Sequence, residues 1–353
     1  MNKIYSLLDN EFVKELFTEK VLPHYPQIKK IEKVEITPYK KMIWETTYHV
    51  VFSYDLFWKN FRGEEKKIQI VCSAHSEEPR ENVLSTLRYL WDKNFPGEEI
   101  KLPRPLFFSP EFSATFYRAL SGKTLLHYIK KGDKEAITSL VLGAARMFAR
   151  LHQLPIDSNF KFNPNNQRIS TVVPGEKFIY FELAERYKNG ECEDLADFYQ
   201  ECVRREEKTF PSASQRTLIH GDAHPENIIK VSSDKIGLVD FTDFSPADFA
   251  RDLGAFIQQI EYKIVRKVED LEFANKIKKL FLAEYLRASG RELDENLQKR
   301  INLYYDWTAL RTAVYWFLNH RPSPVNGCEL LSAIRERQKT GRNAQNLMVN
   351  YKN

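Results

Sequence analysis

Cysteine and glycine are both scarce in this chain, and their placement excludes several kinds of site. The 353 residues include four cysteines and 13 glycines. The cysteines lie far apart and form no C-x-x-C pair, which argues against a zinc ribbon or a redox motif and is typical of a reduced, cytoplasmic compartment. No glycine precedes Gly63, so the N-terminal segment before it contains no glycine-rich phosphate loop.

Long apolar runs and a strong excess of one charge are also absent. Arg146 and Arg150 interrupt the apolar run LVLGAARMFARL, so we predict no membrane span. The start, MNKIYSLLDNEFVKEL, lacks the apolar core and cleavage site of a signal peptide. The net charge of +5 comes mostly from bases that alternate with acids, which argues against nucleic-acid binding. The tail 335–352 is more basic, and it is either a solvated helix end or a functional arm.

The sequence before Leu120 has mainly strand patterns. After a short helix from about Asp9, the segments KIEKVEITPY, TTYHVVFSYDLFW and KKIQIVCSAH are dense in β-branched and aromatic residues, and RPLFFSP and SATFYRAL return to this pattern. One amphipathic helix is predicted in EEPRENVLSTLRYLWDKNF. We therefore expect a β-rich N-terminal domain over residues 1–120.

Helical periodicity dominates the rest of the chain. Helices are predicted at about 123–131, 134–151, 176–188, 193–207 and throughout the part that follows Ala247. A small group of strands, QRTLIH, NIIKV and KIGLVDF, interrupts them. A chain of this length suits two domains, so we predict a helical second domain over residues 121–353.

The turn in LIHGDAHPENIIK is crowded with side chains that titrate or bind metal. Asp222 lies at its apex, Asn227 follows, and Asp240 ends the next strand but one. Amide and carboxylate oxygens suit Mg²⁺, and an aspartate at an apex can accept a proton from a hydroxyl. This arrangement is that of phosphoryl transfer from a nucleotide.

Two motifs resemble those of the aminoglycoside phosphotransferase and choline kinase family. The family pattern H-G-D-x-H-x-x-N…D-F is matched at His220, Gly221, Asp222, His224, Asn227, Asp240 and Phe241. Downstream, ADFARDLGAF is similar to the family's acidic segment, with Asp248 and Asp252 in register and Gly254 in place of an alanine.

The resemblance implies an α+β, protein-kinase-like two-lobed fold, with a small antiparallel β-rich N-lobe and a larger helical C-lobe. It also implies a small-molecule kinase that moves the γ-phosphate of ATP or GTP to an alcohol. Asp222 would be the catalytic aspartate, and Asn227 and Asp240 would bind Mg²⁺. Asp252 would brace the catalytic loop through its backbone, and His220 would pack beneath the turn.

Two side chains of the motif region keep more than one interpretation. His224 is a catalytic candidate that could contact substrate or support Asp222, or it could be a structural histidine. Asp243 could assist a second metal or serve as a capping or solvated carboxylate.

The N-terminal domain departs from the kinase pattern, which places a lysine on the third strand. The strand IQIVCSAH contains no lysine, although Ile70 on it remains a candidate nucleotide contact. Glu81 is either the partner glutamate of the pattern or a helix N-terminal charge. Lys40 and Lys41 could contact phosphate instead, or they could be surface lysines.

The segment FYRALSGKTL resembles the family's hinge, which places Arg118, Ala119 and Leu120 near the nucleotide base without deciding between ATP and GTP. For the acceptor, the aromatic residues of INLYYDWTALRTAVYWFLNH could enclose a quaternary ammonium, but core packing is the preferred interpretation. A polycationic aminoglycoside would require an acidic cleft, whereas the acids here are mixed with bases. Neither acceptor is favoured, and the oligomeric state is open.

Two rival functions remain at this point. The missing lysine and glycine loop suggest a nucleotide-binding pseudokinase that acts as a scaffold, although the intact Asp222, Asn227 and Asp240 argue against it. A metallohydrolase built on His220, Asp222 and His224 lacks further ligands at recognisable spacing.

Overall fold

A computed structural model describes residues 2–78, 80–187, 193–318 and 322–339. The chain divides into two compact units, one formed by Met1–Gly122 with Gly237–Thr242 and the other by Lys123–Ile236 with Asp243–Asn353. The sequence placed a boundary after Leu120 and assigned the whole of the later chain to the second domain. In the structure, the short segment Gly237–Thr242, which includes Asp240, belongs to the first unit.

The first unit contains a five-stranded antiparallel sheet in the order β1-β2-β3-β6-β5. Its elements are α1 (Asn10–Lys20), β1 (Lys33–Ile43), β2 (Tyr48–Lys59), β3 (Glu65–His75), α2 (Glu81–Asp92), β4 (Ile100–Lys101), β5 (Arg104–Ser109) and β6 (Ala114–Arg118). The sheet strands and both helices lie where the sequence patterns predicted them.

The core of the first unit lies on one face of this sheet. Alternate residues of β2 and β3 are fully or almost fully buried there, against Val13 and Phe17 of α1; they are Val50, Phe52, Tyr54, Leu56, Ile68, Ile70, Cys72 and Ala74. Successive side chains of a strand point to opposite faces. The intervening residues, such as Val51, Ser53 and Ser73, therefore face away from α1.

Strand β1 contains a register shift between Pro38 and Lys40. Before the shift, Pro38 pairs with the core residue Phe52; after it, Lys40 pairs with Val51 and Lys41 with Val50. Proline cannot donate a hydrogen bond to the ladder and is typical of bulges. Since directly opposed residues share a face, the bulge turns Lys40 to the face away from α1 and Lys41 to the core face.

The second unit is mainly helical. Its elements are β7 (Lys123–Thr124), α3 (Leu125–Lys131), α4 (Lys134–Leu151), α5 (Leu183–Arg186), α6 (Glu193–Thr209), β8 (Thr217–Ile219), β9 (Ile228–Lys230), the start of β10 (Ile236–Leu238), β11 (Ser245–Ala247), α7 (Ala250–Val268), α8 (Leu271–Ser289), α9 (Glu295–Leu318) and α10 (Pro324–Lys339). A π-helical turn at Lys177–Glu182 precedes α5. Most of the predicted basic tail lies outside the described residues.

Aromatic side chains fill the centre of this helical unit. Phe148 of α4, Phe256 of α7 and Phe281 of α8 contact one another with ring centroids 4.5–6.3 Å apart. β8 pairs antiparallel with β11. The strand before the segment that contains Asp222 is therefore hydrogen-bonded to the strand after that segment. None of the described helices combines the length and apolar character that a bilayer crossing requires.

Helices α7 and α9 are in close contact at Gly254. A Cβ added to Gly254 would lie 2.5 Å from the carbonyl oxygen of Ile301 and 2.7 Å from the amide nitrogen of Tyr305. Backbone atoms cannot move aside as a flexible side chain can. The glycine at this position, where the resemblance led us to expect alanine, is therefore required by the helix contact.

We predict that Gly254→Ala destabilises the protein by about 1–3 kcal/mol through overpacking, although alanine has the better helix propensity. Urea unfolding measures the change. Gly143→Ala is the matched control in α4, because an added Cβ there meets only the side-chain tip of Ile236 at 3.2 Å. Equal unfolding midpoints for the two variants would contradict the close-contact explanation.

Candidate active site

The loop that follows β8 is held from below by Asp252, in the first turn of α7. Its carboxylate accepts hydrogen bonds from the backbone N–H of His220 at 2.7 Å and of Gly221 at 2.8 Å. The Nε2 atom of His152 lies 3.1 Å from the same carboxylate. Burial alone would raise the pKa of Asp252, but His152 and the loop contacts keep that pKa below its usual value. Asp252 therefore braces the loop through its backbone, as predicted.

Arg251 holds the same loop by donating hydrogen bonds to backbone carbonyls, whereas Asp252 accepts them from backbone N–H groups. Its buried guanidinium donates to the carbonyl of Gly221 at 2.9 Å and to the carbonyl of Asn166 at 2.6 Å. Its Nη2 also lies 4.0 Å from Asp243 Oδ2. The sequence analysis missed this residue, because an arginine beside Asp252 carries no signal of its own.

Asp222 lies directly after this braced backbone, with its carboxylate between two cations. His224 Nε2 lies 3.1 Å from Oδ2, and Arg311 Nη1 lies 3.2 Å from Oδ1. Burial would raise the pKa of Asp222, but the charges of His224 and Arg311 lower it well below the usual range. The carboxylate is therefore ionised at any physiological pH.

His224 connects Asp222 to two further charges. Its Nδ1 lies 2.9 Å from Glu226 Oε2, and Lys263 Nζ donates to Glu226 Oε1 at 2.7 Å. Burial would lower the pKa of His224, but Asp222 and Glu226 raise it to about 10, so the ring is an imidazolium at neutral pH. The alternatives for His224 were substrate contact, support of Asp222 or a purely structural role. The structure shows the contact with Asp222 that the second of these requires.

Asn227 lies on the same loop, at the end of the 3-10 turn Pro225–Asn227. Its Nδ2 donates to the backbone carbonyl of Asp222 at 3.0 Å, and the residue is 5% exposed. His220 is fully buried beneath the turn, as predicted. The amide oxygen of Asn227 has the chemistry that a hard cation prefers.

Asp240 belongs to the first unit and has an unusual backbone. Its φ is 63°, a left-handed conformation that strains a non-glycine residue and is common at functional sites. Thr242 Oγ1 donates to Asp240 Oδ1 at 2.7 Å, which fixes the carboxylate. Its role as a metal ligand together with Asn227 stays a prediction.

The two candidate phosphate lysines face opposite sides of the first unit's sheet. Lys40 Nζ donates to His49 Nε2 at 3.2 Å, and the His49 ring lies 4.6 Å from that of His75 on β3. Lys41 instead lies 5.9 Å from the ring centroid of Tyr5. Burial and then Arg80 lower the pKa of Lys40, whereas Asp240 raises it. Lys40 is therefore within the electrostatic influence of Asp240.

Two other candidate nucleotide contacts have different surroundings from those expected. Ile70 is fully buried in the core beside α1. Because successive side chains of a strand alternate between the two faces of a sheet, Ile70 lies on the face that packs on α1, and its assignment as a nucleotide contact is wrong. Glu81 is an exposed residue in the first turn of α2, which is the helix-charge alternative. Two lysines lie at the start of β3, and both pair with other acids: Lys66 with Glu64 at 3.0 Å and Lys67 with Asp55 at 2.8 Å.

The predicted hinge residues lie at the end of β6, of which Arg118 is the last residue. Ala119 N–H donates to the carbonyl of Gln69 at 2.9 Å, and the exposed Arg118 places its guanidinium 5.9 Å from the ring centroid of Tyr25. Leu120 is half-buried. Their contact with a nucleotide base stays a prediction.

Asp222 opens onto a cavity within the second unit. The cavity has a volume of about 570 Å³ and is lined by residues of the catalytic loop, α7 and α9, including Glu226, Lys263, Arg311 and Tyr315. Most ligand pockets have volumes of roughly 300–1,000 Å³. Of the aromatic residues considered in α9, Tyr304 and Trp307 are core residues, whereas Tyr315 is 64% exposed and lines the cavity.

A sequence profile described as the phosphotransferase enzyme family matches residues 69–298. The chain belongs to this family. The match covers the motif region, and it confirms the resemblance seen in the sequence. No curated protein gave a match to this phosphotransferase.

Solved structures with the same fold include three kinases. A spectinomycin phosphotransferase in complex with ADP and spectinomycin has 10% identity and a TM-score of 0.55, over 92% of this chain and 94% of that one. Choline kinase LicA from Streptococcus pneumoniae has 15% identity and a TM-score of 0.54, over 92% and 97%. An ethanolamine kinase from Plasmodium vivax has 16% identity and a TM-score of 0.53, over 85% and 81%. The phosphotransferase therefore has the predicted α+β, protein-kinase-like fold.

The rival metallohydrolase would need a cluster of metal-ligating side chains. Among the residues that the structure describes, no three histidine, cysteine, aspartate or glutamate side chains are grouped to hold a metal ion. Asp243 is not simply a solvated carboxylate, because Arg311 Nη2 donates to it at 3.3 Å. A role for Asp243 at a second metal stays a prediction. Besides Arg251, sequence reasoning missed Arg311, Glu226 and Lys263.

We predict that Asp252→Ala destabilises the phosphotransferase by about 2–5 kcal/mol, since it leaves two buried N–H groups unpaired. Asp252→Asn keeps one carbonyl oxygen and should lose less. Chemical denaturation measures both. Asp270→Ala is the control, because it removes an exposed α8 N-cap and the contact with Lys134, and about 1 kcal/mol is expected. A loss for Asp252→Ala no larger than for this control would contradict the bracing role.

Proposed function

We propose that this phosphotransferase moves the γ-phosphate of ATP to a hydroxyl of a small molecule, with Mg²⁺ as the metal. The observation that carries the proposal is the ionised Asp222 carboxylate at the wall of a cavity of about 570 Å³. Family membership supports phosphate transfer, and the ADP named for the spectinomycin phosphotransferase supports an adenine nucleotide as donor.

Asp222 acts mainly by orientation. Its Oδ1 and Oδ2 are each contacted by one cation, Arg311 and His224, so the carboxylate has little rotational freedom. A hydroxyl that donates to this carboxylate is aimed before it attacks the γ-phosphorus. Its proton passes to Asp222 as the new P–O bond forms, while the bond from the γ-phosphorus to the bridging oxygen breaks and ADP leaves. Such positioning supplies much of the rate in phosphoryl transfer.

Asn227 and Asp240 are the proposed Mg²⁺ ligands. Their amide and carboxylate oxygens fit a hard cation, and the fixed Asp240 rotamer and buried Asn227 amide support preorganised ligands. When bound, Mg²⁺ neutralises charge on the transferred phosphate.

Lys40 is the proposed substitute for the third-strand lysine of the kinase pattern, since Lys66 and Lys67 at the start of β3 pair with other acids. It lies on the face of the sheet away from α1 and beside His49. Burial and then Lys40 lower the pKa of His49 to about 3. His49 is therefore neutral and accepts one hydrogen bond from Lys40 Nζ, which leaves the other donors of an ammonium for phosphate.

We predict that Asp222→Asn abolishes phosphate transfer while ATP binding changes little, because the variant keeps the shape of the side chain and loses only its charge. Radiolabelled transfer from ATP and from GTP across a panel of alcohols measures activity, and calorimetry measures nucleotide binding. Asp234→Asn, in the exposed turn after β9, is the control.

Equal turnover by the wild type and Asp222→Asn would end the proposal. The rival pseudokinase predicts nucleotide binding with no product from any alcohol in the panel. A single phosphorylated product that depends on Asp222 would exclude that rival.

We predict that Lys40→Ala raises the KM for ATP by about 10- to 100-fold, the value of one charge-assisted contact. Lys41→Ala should leave the KM within about twofold, since Lys41 faces Tyr5 on the other side of the same strand. Steady-state kinetics with ATP as the varied substrate measures both. Equal effects of the two substitutions would show that general surface charge, rather than the placement of Lys40, is responsible.

A further inference from the structure

The cavity beside Asp222 is bordered by two carboxylates and three cationic side chains. The carboxylates are Asp222 and Glu226, and the cations are His224, Lys263 and Arg311. Each carboxylate is already contacted by two of the cations: Asp222 at 3.1 and 3.2 Å, and Glu226 at 2.9 and 2.7 Å. An ammonium ligand would therefore compete with cations already in place, and the cavity does not have the acidic surplus that a polycation needs.

Two of the cations, Arg311 and Lys263, have more N–H donors than their contacts with the carboxylates use. A guanidinium carries five N–H groups and an ammonium three. Arg311 directs one donor to Asp222 and one to Asp243, both at long distances of 3.2 and 3.3 Å, and Lys263 directs one to Glu226. The side chains of Arg311 and Lys263 are 27% and 23% exposed. Both can accept an additional anionic partner from the cavity without losing the contacts that they make.

The remaining lining does not suit a quaternary ammonium. Among the described residues that line the cavity, Tyr315 is the single aromatic one apart from His224. The rest of the lining is the polar Gln259, Thr308 and Thr312 and six apolar residues, Val173, Pro174, Ala223, Ala255, Val314 and Leu318. One ring cannot surround a cation as an aromatic cage does. The amide and hydroxyl groups suit the neutral hydroxyls of a polyol.

We propose that the acceptor carries an anionic group, a carboxylate or a phosphate monoester, and that Arg311 and Lys263 bind this group in the cavity. The inference rests on the proposed function, since it names the class of alcohol that is phosphorylated. Arg311 also contacts Asp222, so an anion on its remaining N–H groups brings a hydroxyl a few bonds away to the catalytic carboxylate. Arg311 thereby acts on the substrate and on the orientation of Asp222.

Calorimetry with two matched sets of compounds tests the charge preference. The first set is glycerol, glycerate, glycerol 3-phosphate and 3-amino-1,2-propanediol; the second is glucose, glucuronate, glucose 6-phosphate and glucosamine. In at least one set we expect an anionic member to bind about 10- to 100-fold more tightly than the neutral parent, with the amine weakest. Comparing the carboxylate with the phosphate identifies the anion.

Substitutions then assign the preference to the two residues. Arg311→Gln and Lys263→Gln should each weaken binding of the preferred anion by about 10-fold or more, while binding of the neutral parent changes little. Lys267→Gln is the matched control, because this exposed lysine lies one turn further along α7 and outside the cavity lining. Unfolding midpoints confirm that each variant is folded.

Equal or weaker binding of the anions in both sets, or no binding at all, would overturn the inference, as would variants that keep the preference intact. Transfer of phosphate to the amines in preference to the anions would overturn it while leaving the proposed kinase activity standing. Anion binding that depends on Arg311 and Lys263, without phosphorylation of any compound, would count against the proposed function alone.

Discussion

The geometry of the candidate active site depends on one buried carboxylate. Asp252 binds the N–H groups of His220 and Gly221, and the neighbouring Arg251 binds the carbonyl of Gly221. Two consecutive residues in the first turn of α7 thus fix both backbone polar groups of Gly221, the residue that precedes Asp222. The next turn of the same helix is pressed against α9 at Gly254. The packing of the helical core therefore determines where the catalytic loop lies.

The side chains above this loop form a row of alternating charge. Arg311, Asp222, His224, Glu226 and Lys263 follow one another, with each contact between opposite signs. Neighbours of this kind shift one another's pKa in opposite directions, so that acids stay ionised and the histidine stays protonated. The resulting Asp222 is a weak base, which suits phosphoryl transfer, where orientation and charge stabilisation matter more than proton affinity.

The parts of the site that the sequence predicted are those close together along the chain. Asp222 and Asn227 fall in one short motif, and Asp252 follows in a second, so spacing alone was informative. Arg311 lies 89 residues from Asp222, and only the packing of α9 beside the loop brings them together. No local pattern records such a contact. Strand positions were predicted well from residue patterns. Which face of β3 Ile70 occupies was not, because successive side chains of a strand point to opposite faces and the pattern alone does not say which face packs on α1.

The role that we propose for Lys40 illustrates how the chemistry of a motif can be supplied from another strand. Neighbouring strands lie about 4.8 Å apart, so a lysine on β1 can extend its ammonium over β2. Lys40 does so: its Nζ lies 3.2 Å from His49 on β2, and that ring lies 4.6 Å from His75 on β3. The bulge after Pro38 selects Lys40 rather than Lys41 for this face. A sequence pattern that requires a lysine on the third strand specifies which strand carries the side chain. Phosphate binding requires only that the ammonium reach the correct face of the sheet.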